Sequence, residues 1–343
     1  MIRVGVIGCG KIAQTRHLPE YADNAYAEIA AVYDLDHNRA KEVALRYGAA
    51  VYESYEALLE DAGIDAVSVC VANVSHYEVS VAAMHAGKHV LCEKPMAVTL
   101  EQCEEMVRIS EETGKYLMIG HNQRLTQTHI RAKELIRQGQ IGKIITFRTS
   151  FGHAGPETWM IDRKNNWFFD KARAQFGALA DLGVHKTDLI QFLTGRRIKK
   201  VTAKICTLHK ADDTGKKLDV DDNAVCIYEM EDGIIGTMTA SWTNYGKEDN
   251  STVLYGTDGV MYIYCDEKYS IMIEKKNGSR ECYQLDRIQT NDDQTRSGVI
   301  DEWIECLRKK KQPDLSCHEA LSAMKAVFAA SESSQKGCTV EIR

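Results

Sequence analysis

The chain has 343 residues, 44% hydrophobic and 27% charged, with a formal net charge of −6 at pH 7. That length exceeds the size at which single cores stop growing, so two domains are expected, and the composition excludes both a disordered and a membrane-spanning chain. The negative balance argues against nucleic acid as a partner, and eleven cysteines, an odd number with no Cys-x-x-Cys pair, read as reduced thiols in a cytoplasmic protein.

Ile2 to Ile7 is a short, mostly apolar run that reads as a strand, and a strand starting at residue 2 leaves no room for a signal peptide. It runs into Gly8-Cys9-Gly10-Lys11-Ile12-Ala13, the spacing of a dinucleotide-binding turn. In such a turn Gly8 permits the tight reversal, Gly10 lets backbone approach a pyrophosphate, and small Ala13 lets the next helix pack on its strand. Lys11 and Ile12 then lie at a helix N-terminus, where unpaired N–H groups attract phosphate. A second strand, Glu28 to Tyr33, ends at Asp34, which can hold ribose hydroxyls and would repel a 2′-phosphate. NAD in preference to NADP follows.

Further strands are expected at 66–72, 88–92 and 116–120, with helical spacing between them, so residues 1–121 form an α/β domain with a doubly wound parallel sheet. From Lys143 the pattern changes to alternating strands at 198–209, 222–231, 234–243, 251–256, 259–264 and 269–275, followed by helices near 293–311 and 317–335 with Pro313 between them. Residues 122–343 are therefore expected to be an α+β domain with a large, mainly antiparallel open sheet. Within its first strand, Ile145, Phe147 and Thr149 are expected on one face and Ile144, Thr146 and Arg148 on the other.

Three constellations carry candidate chemistry. Val71-Ala72-Asn73-Val74-Ser75-His76 ends a strand of the first domain, where ligands of open α/β sheets bind. Ala72, Asn73 and His76 are candidate cofactor contacts, and Asn73 or Ser75 could at the same time cap the following helix. Cys92-Glu93-Lys94-Pro95 ends another strand and places Lys94 over the same crevice, with Glu93 beside it. In Gly177-Ala178-Leu179-Ala180-Asp181-Leu182-Gly183-Val184-His185, Asp181 and His185 are four apart on a helix and share a face, as an acid–base pair requires.

A Gly-x-Gly-x-x-Ala turn, an acid after the second strand, Glu-Lys-Pro at 93–95 and the Asp181/His185 helix together resemble the glucose–fructose oxidoreductase / inositol dehydrogenase (Gfo/Idh/MocA) family. The resemblance covers nearly the whole chain. It implies reversible oxidation of a secondary alcohol on a sugar or cyclic polyol by hydride transfer to nicotinamide. In that setting Lys94 and His185 work as a connected pair on the alcohol proton, and which takes it stays open. Asp181 holds a substrate hydroxyl or orients His185. Gln123 is a candidate cofactor contact, and Arg124 beside it serves the ligands or domain packing. The stretch from Phe151 to Trp159, with Asn166-Trp167, is rich in glycine, aromatic and polar residues. His153, Trp159 and Trp167 are its candidate substrate contacts, with a dimer or domain contact as the alternative.

Other patterns are set aside. Asp34-x-Asp36-x-Asn38 lacks the glycine and glutamate of a calcium loop, Gly87 separates His85 from His89, and Asp212-Asp213 and Asp292-Asp293 read as loop acids, so no metal site is expected. Trp242, Tyr262 and Tyr264 are expected on the open face of the second sheet, where a homodimer or homotetramer would form. Two rival functions remain: cleavage of glycosidic bonds with transient sugar oxidation, and a non-catalytic NAD-binding sensor.

Overall fold

The computed structural model describes residues 1–161, 166–287 and 296–342. The described residues fall into two compact units: Met1–Asn122 with parts of Trp159–Asn165 and Thr290–Leu321, and Gln123–Thr158 with parts of Asn166–Gln289 and Ser322–Arg343.

The first unit holds β1 (Ile2–Ile7), α1 (Leu18–Asp23), β2 (Ala27–Tyr33), α2 (His37–Tyr47), β3 (Ala50–Val51), α3 (Tyr55–Glu60), β4 (Ala66–Val69), α4 (His76–His85), β5 (His89–Cys92), α5 (Leu100–Thr113) and β6 (Leu117–Ile119). All six strands are parallel, in the order β3-β2-β1-β4-β5-β6. Strands β1, β4, β5 and β6 are almost wholly buried, which explains why they read as continuous apolar runs. The order reverses between β1 and β4, so the carboxyl ends of these two strands open a crevice, the usual ligand position in such sheets.

The second unit starts with α6 (Gln127–Arg137) and β7 (Ile144–Gly152), then a short α7 (Lys171–Ala174) and α8 (Val184–Thr194). Strands β8 (Ile198–Cys206), β9 (Asn223–Met230), β10 (Ile235–Ser241), β11 (Thr252–Gly256), β12 (Gly259–Ile263), β13 (Ile271–Lys275) and β14 (Arg280–Tyr283) follow. After α9 (Val299–Lys309) and α10 (Cys317–Lys336), β15 (Val340–Glu341) completes a nine-stranded sheet. Its order is β14-β13-β12-β11-β7-β10-β9-β8-β15, antiparallel except for the β7–β10 pair.

The fold departs from the sequence reading in two places. First, α9 packs within the first unit, against β1 and α1, through buried Val299, Ile300, Trp303 and Ile304. Glu20 anchors its start by accepting the Ser297 N–H at 2.7 Å and its hydroxyl at 3.1 Å. Long-range packing of this kind leaves no signal in a local pattern; the first residues expected for this helix, 293–295, lie outside the described residues, as do Asp292 and Asp293.

Second, Trp242 is fully buried, on the same parity as buried Met238 and Ala240, and faces the covered side of the sheet. Tyr264 gives its hydroxyl to Asp286 at 2.7 Å and Tyr262 gives its own to Glu274 at 3.2 Å. The open face is instead apolar at Val225, Ile227 and Ile235, each about half exposed. The alternation expected in β7 holds, with Phe147 and Thr149 buried on one face and Thr146 and Arg148 exposed on the other; Ile145, at the start of the strand, is 57% exposed.

Candidate active site

The turn after β1 is built around two glycines with opposite surroundings. Gly8 has φ 94°, and a Cβ there would lie 2.4 Å from the Cys70 carbonyl oxygen, so only glycine lets β1 and the end of β4 approach this closely. At Gly10 nothing lies within 4 Å of the same hypothetical atom, leaving backbone open to a ligand. Lys11 and Ile12 are half-buried beside it and Ala13 is fully buried. The helix expected after the turn begins as a π-helical turn, Ala13–His17, before α1 takes over. Asp34 is oriented from three sides: Oδ2 accepts the Cys9 N–H at 2.6 Å, Oδ1 accepts the Asp36 N–H at 2.8 Å, and Arg39 lies 3.4 Å from Oδ1. Asp36 caps α2 through the N–H groups of Asn38 and Arg39. Open backbone at Gly10, a fixed carboxylate at the end of β2 and the crevice at the switch point together fit a dinucleotide.

Beyond β4, Ala72 precedes a 3-10 turn, Asn73–Ser75, that leads into α4, and Ser75 at the start of α4 makes no side-chain capping bond. His76, expected as a cofactor contact, is instead a brace. It is 1% exposed, with Nδ1 2.7 Å from the Pro95 carbonyl and Nε2 3.1 Å from that of Val71. Burial pushes its pKa down against the pull of the two carbonyls, and the ring ties the Glu-Lys-Pro turn to the end of β4.

At that turn the Lys94–Pro95 peptide is cis. Glu93 takes a hydrogen bond from His17 Nε2 at 2.9 Å and the Lys94 N–H at 3.2 Å. Burial pushes the Glu93 carboxyl up, but the His17 bond and charge, with Lys94 and Arg16, hold it down at about 2.

In the second unit, Asp181 lies in a π-helical turn, Leu179–Gly183, and His185 in the first turn of α8. The two are still four residues apart, but across a junction of helix types where one continuous α-helix was expected; such π-turns recur at functional sites. The start of this segment is clamped by Asp221, which accepts the Gly177 and Leu179 N–H groups, each at 2.7 Å, on its two carboxylate oxygens. Its backbone oxygen takes the Ala178 N–H at 2.9 Å. A Cβ on Gly177 would stand 1.8 Å from that oxygen, so glycine is required there. Burial pushes the Asp221 pKa up and the two N–H bonds pull it back; two donors aimed at two oxygens call for the ionised form.

Asp181 is 7% exposed, and its Oδ2 accepts the Trp242 indole N–H at 3.0 Å. Trp242 sits edge-on to Phe168 at 6.3 Å, and Trp167 stacks on Phe168 at 4.0 Å between ring centres. On the other flank Phe151 packs at 6.0 Å from the His185 ring and 5.9 Å from His153. His153 Nδ1 accepts the Gly155 N–H at 2.9 Å, which places the ring proton on Nε2. Lys210 locks this loop, pairing with Glu157 and donating to the Ala154 carbonyl at 2.6 Å. Trp167 and Trp159 are half-buried.

Arg124 is 5% exposed and makes a two-pronged ion pair with Asp188 of α8, one arm at 2.6 Å, with its guanidinium over the Phe192 ring. That is structural bracing of the helix carrying His185. Gln123, 3% exposed, has a carboxamide oxygen with no hydrogen-bond partner among the described residues, leaving an acceptor to be used.

Three residues important to this geometry were given no part in the site by the sequence reading. Trp242 and Asp221 are distant in the chain from Asp181, though the parity of Met238, Ala240 and Trp242 would have pointed Trp242 inward. Lys186, next to His185, is fully buried, donates to the Asn250 carbonyl at 2.9 Å and lies 5.9 Å from the centre of the Phe151 ring; burial brings its pKa down to about 7. Among the described residues no group of three or more His, Cys, Asp or Glu side chains is placed to hold a metal ion, and no helix is long and apolar enough to cross a membrane.

Residues 2–121 match the family model described as an oxidoreductase family with an NAD-binding Rossmann fold, and residues 129–262 match the GFO/IDH/MocA C-terminal domain. The chain is 25% identical to a myo-inositol 2-dehydrogenase of Thermotoga maritima, over 99% of this chain and 98% of that one. It is 32% identical to a D-glucoside 3-dehydrogenase of Escherichia coli, over 69% of this chain and 66% of that one. A solved levoglucosan dehydrogenase in complex with NADH and levoglucosan superposes with a TM-score of 0.87 at 23% identity, covering 100% of this chain and 99% of that one. With both family domains in sequence and the fold of its solved relatives, this chain belongs to the GFO/IDH/MocA oxidoreductase family and is an NAD-dependent dehydrogenase.

Proposed function

We propose that the protein reversibly oxidises a secondary alcohol of a sugar, sugar derivative or inositol-like cyclic polyol. Asp181 carries this reading: a carboxylate one turn from His185, fixed by the indole of Trp242, which itself packs against Phe168 and Phe169. Aromatic faces pack on the C–H faces of a sugar ring, while a fixed carboxylate takes its hydroxyls. The named relatives act on an inositol and on glucosides, compounds of this class.

NAD, when bound, supplies the hydride acceptor. Gly8, Gly10, Lys11, Ile12, Ala13, Asp34, Ala72, Asn73, Glu93 and Gln123 would hold it. The remaining task falls to side chains, because a carbon gives up hydride only as its hydroxyl gives up a proton. Lys94 bonds the alcohol oxygen and stabilises its developing charge, and His185 completes the proton path with it. Asp181 receives a neighbouring substrate hydroxyl or orients His185. His153, Trp159 and Trp167 line the sugar. We further propose a homodimer or homotetramer joined through the open face at Val225, Ile227 and Ile235, which cross-strand pairing with Thr239, Thr237 and Thr146 places on one side of the sheet.

The test is a panel of sugars, inositols and glycosides incubated with NAD, followed by NADH absorbance and product analysis. Stoichiometric NADH and a keto product support the proposal. Glycoside cleavage without net NADH would replace it with transient oxidation, and NAD binding without turnover on any compound would leave a sensor.

A further inference from the structure

We infer that Lys210 is a positioning residue for His153: by holding the Ala154–Gly155 peptide it fixes the ring proton on Nε2, so that the ring meets the substrate as a hydrogen-bond donor. The inference rests on the substrate contact proposed for His153.

His153 follows the end of β7, and its backbone is tied to the sheet by a bond from its N–H to the Ser241 carbonyl at 3.0 Å. Its ring is set by the next peptide unit but one. The N–H of Gly155 points at His153 Nδ1 from 2.9 Å, and the carbonyl of that same peptide, on Ala154, accepts from Lys210 Nζ at 2.6 Å. A backbone N–H can only donate, so Nδ1 must accept and the ring carries its proton on Nε2. That assignment follows from Nδ1 alone, whatever Nε2 meets before substrate arrives. Were the peptide to turn over, its carbonyl would face Nδ1, the proton would move there, and Nε2 would become an acceptor.

Gly155 makes such a turnover accessible. Its φ is 106°, and glycine populates positive and negative φ about equally. Its own carbonyl is held separately, by the Thr158 hydroxyl at 2.7 Å and N–H at 3.3 Å, so the peptide before it is what Lys210 controls. Lys210 is itself firmly placed. It is 7% exposed, and its N–H and that of His209 both bond Oδ2 of the fully buried Asp222 at 2.7 Å. Its Nζ also pairs with Glu157 and stands 5.0 Å from the centre of the Tyr245 ring. A Cβ on Gly155 would come within 2.9 Å of that nitrogen, so amine and peptide pack in direct contact. The tautomer matters because the oxygens of a sugar are not alike. A hydroxyl gives or accepts a proton, whereas a ring or glycosidic oxygen only accepts; a donor at Nε2 serves either, and an acceptor there serves hydroxyls alone.

The experiment compares Lys210→Met, which fills the space of the stem without a donor, with Lys210→Arg, which keeps one, and with His153→Ala. Each is measured for kcat and KM on the best substrate of the panel, NADH affinity and melting temperature. The His153 tautomer is read from ring carbon and nitrogen shifts of histidine-labelled, sedimented protein by solid-state NMR, with His153→Ala assigning the signals. Wild-type protein should carry the His153 proton on Nε2. Lys210→Met should give a mixture of tautomers and raise KM about tenfold, the worth of one hydrogen bond, with kcat and NADH affinity within about twofold. Lys210→Arg should restore both the tautomer and KM. In the His153→Ala background Lys210→Met should raise KM by less than about twofold, because its effect passes through the ring. A wild-type proton on Nδ1, or an unchanged tautomer in Lys210→Met, would make Lys210 a loop brace only and overturn the inference. An equal rise in KM in both backgrounds would overturn it too. A tautomer that shifts in Lys210→Met while His153→Ala keeps the wild-type KM would support the hold on the ring and overturn the substrate contact proposed for His153. If Lys210→Met does not fold, Lys210→Gln, whose amide nitrogen stops one bond short of Nζ, takes its place with the same expectations.

Discussion

Replacing Asp221 by Asn tests whether the Asp181/His185 segment is set in place by a residue some forty positions away. The carboxylate takes two backbone N–H groups at 2.7 Å, from Gly177 and Leu179. Asn keeps the shape but offers one oxygen, so one N–H loses its acceptor and faces the carboxamide NH2. Hydrogen bonds to a charged group contribute about 1.5–3 kcal/mol each, and relief of the buried charge offsets part of that loss, leaving about 2 kcal/mol net. For a unit of this size that corresponds to a fall of roughly 4–8 °C in melting temperature. The chemical consequence should exceed the thermal one. A shift of the Leu179–Gly183 turn moves Asp181 away from its Trp242 partner, and a misplacement of about 1 Å can cost about 10² in rate. The assay is turnover per folded molecule on the best substrate of the panel, together with NAD affinity and calorimetry on the same preparation. NAD affinity should stay within twofold, because the nucleotide turn lies in the other unit. Gly177→Ala should act in the same direction, since its Cβ would meet the Asp221 backbone oxygen at 1.8 Å. Wild-type turnover in Asp221→Asn would refute the clamp.

Other expectations follow from the same geometry. Lys94→Ala and His185→Ala should each cut turnover by about 10² or more; a destabilised but fully active His185→Ala protein would assign His185 to the core. NAD should bind more tightly than NADP, because a 2′-phosphate meets the Asp34 carboxylate; equal affinity in titration would shift the reading to Arg39, which lies 3.4 Å from that carboxylate. Lys186 should make the fold more stable as pH rises. Its pKa falls from 10.5 unfolded to about 7 folded, so the unfolded chain binds the extra proton between these values, and its stabilisation, full above 10.5, is lost as pH falls through 7. The upper bound is about 5 kcal/mol, and Lys186→Met should flatten the rise in melting temperature between pH 7 and 10. Ile227→Glu should dissociate the proposed oligomer in light scattering while leaving the fold intact, and a wild-type monomer at micromolar concentration would remove the oligomer altogether.

The family and its cofactor were legible in the sequence because their signals are local. A strand, two glycines at fixed spacing, an acid at the next strand end and Glu-Lys-Pro each act through neighbouring backbone, so their order in the chain states their chemistry. The open sheet was legible too, since a half-solvated strand alternates every second residue. What only the tertiary structure decided are the partners brought in from far along the chain. Asp221 clamps the Gly177–Leu179 backbone, Trp242 holds Asp181, and Asp188 engages Arg124 as a brace of α8. Breaking that buried pair from one side would leave an unpaired charge, at a cost of about 3–5 kcal/mol. His76 changed role for a similar reason, its two ring nitrogens being taken by carbonyls from two separate turns. A sequence pattern shows which face of an element is apolar or polar; it does not show which buried polar group will find which partner, because that depends on the packing of elements whose order in space differs from their order in the chain.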